Sequence, residues 1–212
     1  RLAASVRGES GRGDSDGSDA SIIAIGASTG GPPVVAEILS GLRTGLAVPI
    51  LVVQHIGAGF TAGLAEWLAT RSPLPVHVAR GGEVPLPGHV YIAPDDRHLC
   101  VGPRGDLMTS QEEPHHGLRP SVDVLFRSVA QRFGRRAIGV LLTGMGRDGA
   151  EELKVLADGG ALTIAQDEES CVVFGMPGEA VKLGAARFVL PPEKIAEFLA
   201  AAGRSAGARS YR

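Results

Sequence analysis

Three uninterrupted apolar stretches limit what this chain can become: SIIAIGA at 21–27, VPILVVQ at 48–54 and AIGVLLT at 137–143. A strand with one wet face alternates apolar and polar residues, so runs without alternation have to be covered on both faces. Between them lie segments of helical period. Val35, Ile38, Leu39 and Leu42 fall on one helical face, and so do Phe60, Leu64, Trp67 and Leu68, and then Val122, Leu125, Phe126, Val129 and Phe133. Pro32 and Pro33 suit the entry of the first helix, where a missing N–H costs least. Shorter strands are expected at PVHVA, HVYIA, ALTIA and RFVL, with further helices near 178–184 and from about 192. HLCVGPRGDLMTS reads as a hairpin around its Gly-Pro-Arg-Gly turn. The pattern predicts an α/β fold: a doubly wound, mostly parallel sheet with helices on both faces and an antiparallel edge hairpin.

Composition narrows the function classes. A chain of 212 residues with 44% hydrophobic content can bury one good core. A net charge of −2 gives no electrostatic case for nucleic acid or an anionic membrane surface. No apolar run reaches the roughly 18–20 residues that a membrane span needs. Cys100 and Cys171 form neither a C-x-x-C nor a zinc-type spacing, which fits a reducing, cytoplasmic setting. Residues 1–20, rich in Gly, Ser, Asp and Arg, read as a flexible linker, and 202–212 as a plain tail. With Arg1 rather than Met at its start, the chain is expected to be a fragment with something attached upstream.

In open α/β sheets ligands bind beyond the carboxyl ends of the strands, so the residues just past each run matter most. The first run ends at Ser28, the second at His55, and the third leads through TGMGR to Asp148. A hydroxyl, an imidazole and a carboxylate at three strand ends are the parts of acyl transfer: nucleophile, base, and the group that fixes the base's tautomer. GASTG around Ser28 also matches G-x-S-x-G, a sharp strand-to-helix turn that leaves the hydroxyl exposed beside unpaired backbone N–H groups. The order Ser, His, Asp differs from the Ser, Asp, His of an α/β-hydrolase.

Each residue also has a plainer reading. The glycine-rich turn could cradle an anion at a helix N-terminus, although no lysine or G-x-x-x-x-G-K-[ST] accompanies it. His55 could be a hydrogen-bonded strand-end histidine, and Asp148 a cap on the following helix. Asp123 and Asp167 are reserves for the third role, Asp123 otherwise compensating the dipole of a helix's first turn. His77 and His89 lie in or beside short strands, and His98 precedes the hairpin. His115 and His116, with Asp95 or Asp96 as conceivable co-ligands, are adjacent and share no helix face, so no metal site is expected.

Six segments, IGASTGG, VVQHI, IAPDDRHL, RPSVDVLF, LLTGMGRDGA and AQDEESCVVFGMPGEA, occur in the order seen in the catalytic domain of the chemotaxis protein-glutamate methylesterase (CheB) family. The chain resembles that family over about 21–200, which makes 21–201 the expected methylesterase catalytic domain. The resemblance implies an esterase that removes methyl groups from glutamate methyl esters on chemoreceptors, releases methanol, and also deamidates receptor glutamines. It puts nucleophile, base and carboxylate on Ser28, His55 and Asp148, and gives Thr29, Gly30 and Met145 to the pocket and oxyanion site. It implies no cofactor. Chemoreceptor cytoplasmic domains are the implied partners, and the family's N-terminal receiver domain is absent from this stretch. Leu118 stands where the family commonly has a histidine.

Overall fold

The structure, a computed structural model, describes residues 20–203. The linker and tail expected at the two ends therefore lie almost wholly outside the described residues.

Seven parallel strands form one sheet: β1 (Ile22–Ala27), β2 (Ile50–Gln54), β3 (Val76–Val78), β4 (Val90–Ile92), β7 (Ala137–Leu141), β8 (Leu162–Gln166) and β9 (Phe188–Leu190). Their spatial order is β3-β4-β2-β1-β7-β8-β9. The three apolar runs are thus the three central strands, buried at every residue. Successive side chains point to opposite faces and feed two cores. Ile23, Ile25 and Ala27 join one, packed under α1 (Gly31–Ser40), α2 (Thr61–Ala69) and α6 (Pro192–Ala202). Ile22 and Ala24 join the other, under α3 (Val122–Phe133), α4 (Ala150–Asp158) and α5 (Met176–Lys182). Leu125, Phe126 and Val129 of α3 are fully buried, each contributing about 1.5–3 kcal/mol by leaving water.

The hairpin is present as β5 (His98–Val101) and β6 (Leu107–Ser110), with Cys100 opposite Met108. It is a separate two-stranded sheet rather than an added edge of the large one. Leu99, Val101 and Leu107 pack into the core under α3, so the hairpin closes a face of the fold. Phe60, expected on the buried face of α2, lies one residue before that helix and is 66% exposed.

Chain order reverses at β1. The chain leaves β1 to one side through α1 and β2, and β7 pairs on the other side. A crevice opens at such a switch point, beyond the carboxyl ends. Close packing beneath it depends on Gly26: a Cβ there would lie 2.3 Å from Val122 Cγ1. The missing side chain lets the head of α3 settle directly on β1.

Candidate active site

Ser28 and His55 are placed by sheet register. Ala27 pairs with Gln54 in the parallel β1–β2 ladder, so the next residue on each strand faces the other, with backbones about 4.8 Å apart. His55 N–H donates to Ala27 O at 2.9 Å, which continues the ladder past the last paired residues. On the other side Ser28 N–H donates to Thr143 O at 3.0 Å, tying the Ser28 turn to the end of β7. Gly30, at φ +80°, then turns the chain into α1, whose first turn carries Pro32 and Pro33.

The segment after β7 returns to the same place. Gly144 permits this, since a Cβ on it would sit 2.4 Å from Met176 Sδ and 2.6 Å from Ser28 Cβ. Beyond it Asp148 is buried, and its Oδ2 lies 2.9 Å from His55 Nε2. Three further donors converge on this carboxylate: Ser121 Oγ at 2.8 Å, Val122 N–H at 2.7 Å and Asp123 N–H at 3.1 Å. Burial alone would push the Asp148 carboxyl up. The bonds from His55, Val122, Ser121 and Asp123 outweigh it and hold the group below the ordinary carboxylate range. Asp148 is therefore ionised and accepts from His55 Nε2–H, and a neutral imidazole in that tautomer has its lone pair on Nδ1.

Asp148 does act at a helix N-terminus, but its carboxylate accepts from the head of α3, one strand earlier in the chain, and not from α4, whose cap is Gly149. Asp123 is in the first turn of α3 as expected, yet it does more than face a dipole. It is buried, accepts Gly149 N–H at 2.9 Å through Oδ1, and has Oδ2 3.3 Å from His115 Nε2. Burial, followed by the neighbouring Asp148 charge, raises its pKa to about 6. Asp167 is held by Ser170 and takes no part here.

The structure brings His55 and Asp148 into contact and sets Ser28 beside them, its hydroxyl without a hydrogen-bond partner among the described residues. The backbone N–H groups of Thr29, Gly30 and Met145 likewise donate to no acceptor among those residues. Thr29 and Gly30 directly follow Ser28, and Met145 follows Gly144, where a Cβ would lie 2.6 Å from Ser28 Cβ; unpaired amides are the donors an oxyanion site needs. The Met145 side chain is 72% exposed.

Three residues escaped the sequence reading. Gln54 is buried and its Nε2 donates to both Ser28 O (2.8 Å) and His55 O (2.9 Å), clamping the two strand ends together. Thr143 Oγ1 donates to Thr29 O at 2.9 Å and accepts Val173 N–H at 3.0 Å, stitching the loop after β8 onto the serine turn. Ser121 caps α3 and bonds Asp148. Gln54 and Thr143 each carried a signal, a polar residue closing an apolar run, and Ser121 carried that of a capping residue ahead of a helical period. Of the conceivable metal co-ligands, Asp95 accepts from Thr61 and Asp96 pairs with Arg119. His115, His116 and Asp123 instead form a group whose ligand atoms lie within 4.8 Å of one another.

Residues 23–199 match the family model described as CheB methylesterase. A protein-glutamate methylesterase/protein-glutamine glutaminase of Nitrosospira multiformis is 57% identical over 180 residues, 85% of this chain and 51% of that one. One of the same description from Geobacter metallireducens is 56% identical over 174 residues, covering 82% and 50%. This chain spans about half the length of the curated relatives it matches. The crystal structure of the Thermotoga maritima CheB methylesterase catalytic domain superposes with a TM-score of 0.82 at 40% identity, over 85% of this chain and 97% of that one.

Proposed function

The chain belongs to the CheB methylesterase family, and from that premise we propose that it hydrolyses protein glutamate methyl esters and deamidates protein glutamines, the two activities its relatives' names carry, with chemoreceptor cytoplasmic domains as the substrate. The observation that carries this is the 2.9 Å bond between His55 Nε2 and the buried Asp148, at the strand end in register with Ser28.

In this reading Ser28 Oγ attacks the side-chain carbonyl carbon while its proton passes to His55 Nδ1. Asp148 holds the imidazole in the tautomer that leaves this nitrogen free and stabilises the imidazolium that forms. The carbonyl oxygen becomes an oxyanion facing the unpaired amides of Thr29, Gly30 and Met145. The tetrahedral intermediate collapses to an acyl-enzyme, and His55 returns the proton to the departing methoxide, giving methanol. Glutamine follows the same path with ammonia leaving. Water then attacks the ester of Ser28, giving up its proton to His55. The products are a free glutamate and the regenerated serine.

The surroundings favour a protein substrate. Ile56, Phe60, Met145 and Val172 are all exposed on loops at this end of the sheet, a rim suited to docking another protein's surface. A groove of about 980 Å³ lined by α2, β3 and the loop after it includes none of Ser28, His55 or Asp148. No helix among the described residues is long and apolar enough to cross a membrane. We assign residues 21–201 as the catalytic domain, preceded in the intact protein by a receiver domain joined through residues 1–20.

Methanol release from methylated chemoreceptor membranes tests the reading. The chain should release methanol and Ser28→Ala should not; equal release by both would remove Ser28 from the mechanism.

A further inference from the structure

Adjacent residues of a helix or strand point apart, yet His115 and His116 do not. His115 and Leu118 exchange two backbone hydrogen bonds, of 3.1 and 3.0 Å. These close a turn in which His116 and Gly117 have φ of +51° and +78°. Positive φ at both central positions is type I′ geometry. It brings the two imidazoles together, with ring centroids 4.2 Å apart.

Facing them is Asp123. Its Oδ1 is occupied by Gly149 N–H, and its Oδ2 points to His115 Nε2 at 3.3 Å. Asp123 is 3% exposed, whereas His116 lies at the surface. One potential donor atom from each residue falls within 4.8 Å of the others.

We propose that His115, His116 and Asp123 form a binding site for a divalent transition-metal ion of the Zn²⁺ type, separate from the Ser28–His55–Asp148 group. Two imidazoles and one carboxylate are a borderline-soft donor set that suits Zn²⁺ and disfavours Mg²⁺ and Ca²⁺, which take oxygen ligands. Tetrahedral zinc with bonds of about 2.0–2.1 Å holds its ligand atoms about 3.3 Å apart. His115 Nε2 and Asp123 Oδ2 already have that separation. The remaining closure falls to His116, whose exposed side chain is free to turn inward. The bond from Gly149 fixes the carboxylate's orientation, as the outer partner of a metal ligand does. With three protein ligands the fourth position faces solvent and takes water. A cation there also offsets two carboxylates crowded at the head of α3, since Asp123 N–H itself bonds Asp148.

Another histidine pair supplies the control. His77 Nε2 and His89 Nδ1 are 2.9 Å apart with stacked rings, but among the described residues no carboxylate completes a ligand group there. The experiment is competition for Zn²⁺ between the tag-free chain and a chromophoric chelator, with thermal unfolding followed in parallel. One Zn²⁺ per chain is expected to bind and raise the melting temperature. The affinity should be unchanged in H77A/H89A, fall at least tenfold in H116A, and vanish with the thermal shift in H115A/H116A. Failure of the parent to compete overturns the proposal. So does parent-like affinity in a folded H115A/H116A chain, or binding lost in H77A/H89A instead.

Discussion

Asp148 draws four donors to one buried carboxylate: an imidazole, a hydroxyl and two backbone amides. Hydrogen bonds to a charged group are worth roughly twice neutral ones, so this residue joins stability to chemistry. Asp148→Asn keeps the shape but presents an N–H₂ group where donors already point. It should lower kcat about ten-thousand-fold through the wrong imidazole tautomer and destabilise the fold by about 1–3 kcal/mol. Steady-state kinetics and urea unfolding read the two effects separately. Gln54 acts one step back from the chemistry. Gln54→Leu leaves the Ser28 and His55 carbonyls without their shared donor, at a cost of about 1–3 kcal/mol. Here kcat is expected to fall while KM stays near the parent's, because the amide positions the strand ends and touches no substrate. A larger change in KM than in kcat would contradict that role.

At the level of elements, the site is a meeting of strand ends with the head of a helix from elsewhere in the chain. α3 sits low enough to offer Val122 and Asp123 amides to Asp148 because Gly26 has no side chain beneath Val122. The segment after β7 reaches Ser28 because Gly144 has none either. Gly144→Ala would force its methyl into Met176 and Ser28, and overpacking of this sort costs about 1–3 kcal/mol. Because Ser28 is one of the two atoms struck, esterase activity should fall further than a urea midpoint would suggest. Ser121→Ala removes the α3 cap and one Asp148 donor together. A loss of about 0.5–2 kcal/mol is expected, measurable by the same unfolding.

For the whole molecule, the two carboxylates at the head of α3 pull stability in opposite directions with pH. Asp123 titrates near 6 because burial and then Asp148 penalise its charge, against about 3.9 in an unfolded chain. The folded state therefore binds the proton more tightly, and this contribution to stability falls as pH rises from about 4 to about 6. Asp148 has its pKa lowered, so its contribution is present above about 3.9 and lost as pH falls below it. With metal chelated, Asp123→Asn should abolish the decline between pH 4 and 6 and leave the acid loss below 4. Urea midpoints of parent and variant across that range decide it; parallel curves would mean that Asp123 does not titrate there.

Local sequence was enough to specify the layered architecture, because unbroken apolar runs and helical periods each admit one kind of neighbour. It also put Ser28 and His55 at strand ends, since both directly follow such runs, and register between neighbouring strands did the rest. What sequence could not carry was anything assembled across the sheet. Asp148 follows β7, but its partners in Ser121, Val122 and Asp123 belong to a helix some 25 residues earlier in the chain. The partners that Gln54 clamps and the stitch of Thr143 to Thr29, 114 residues apart, likewise leave no local pattern. Nor does the convergence of His115 and His116 on Asp123, which depends on a turn with positive φ at a histidine. Periodicity records which face of an element must be dry. Hydrogen bonds between ends of different elements are set only when the packed layers bring those ends together.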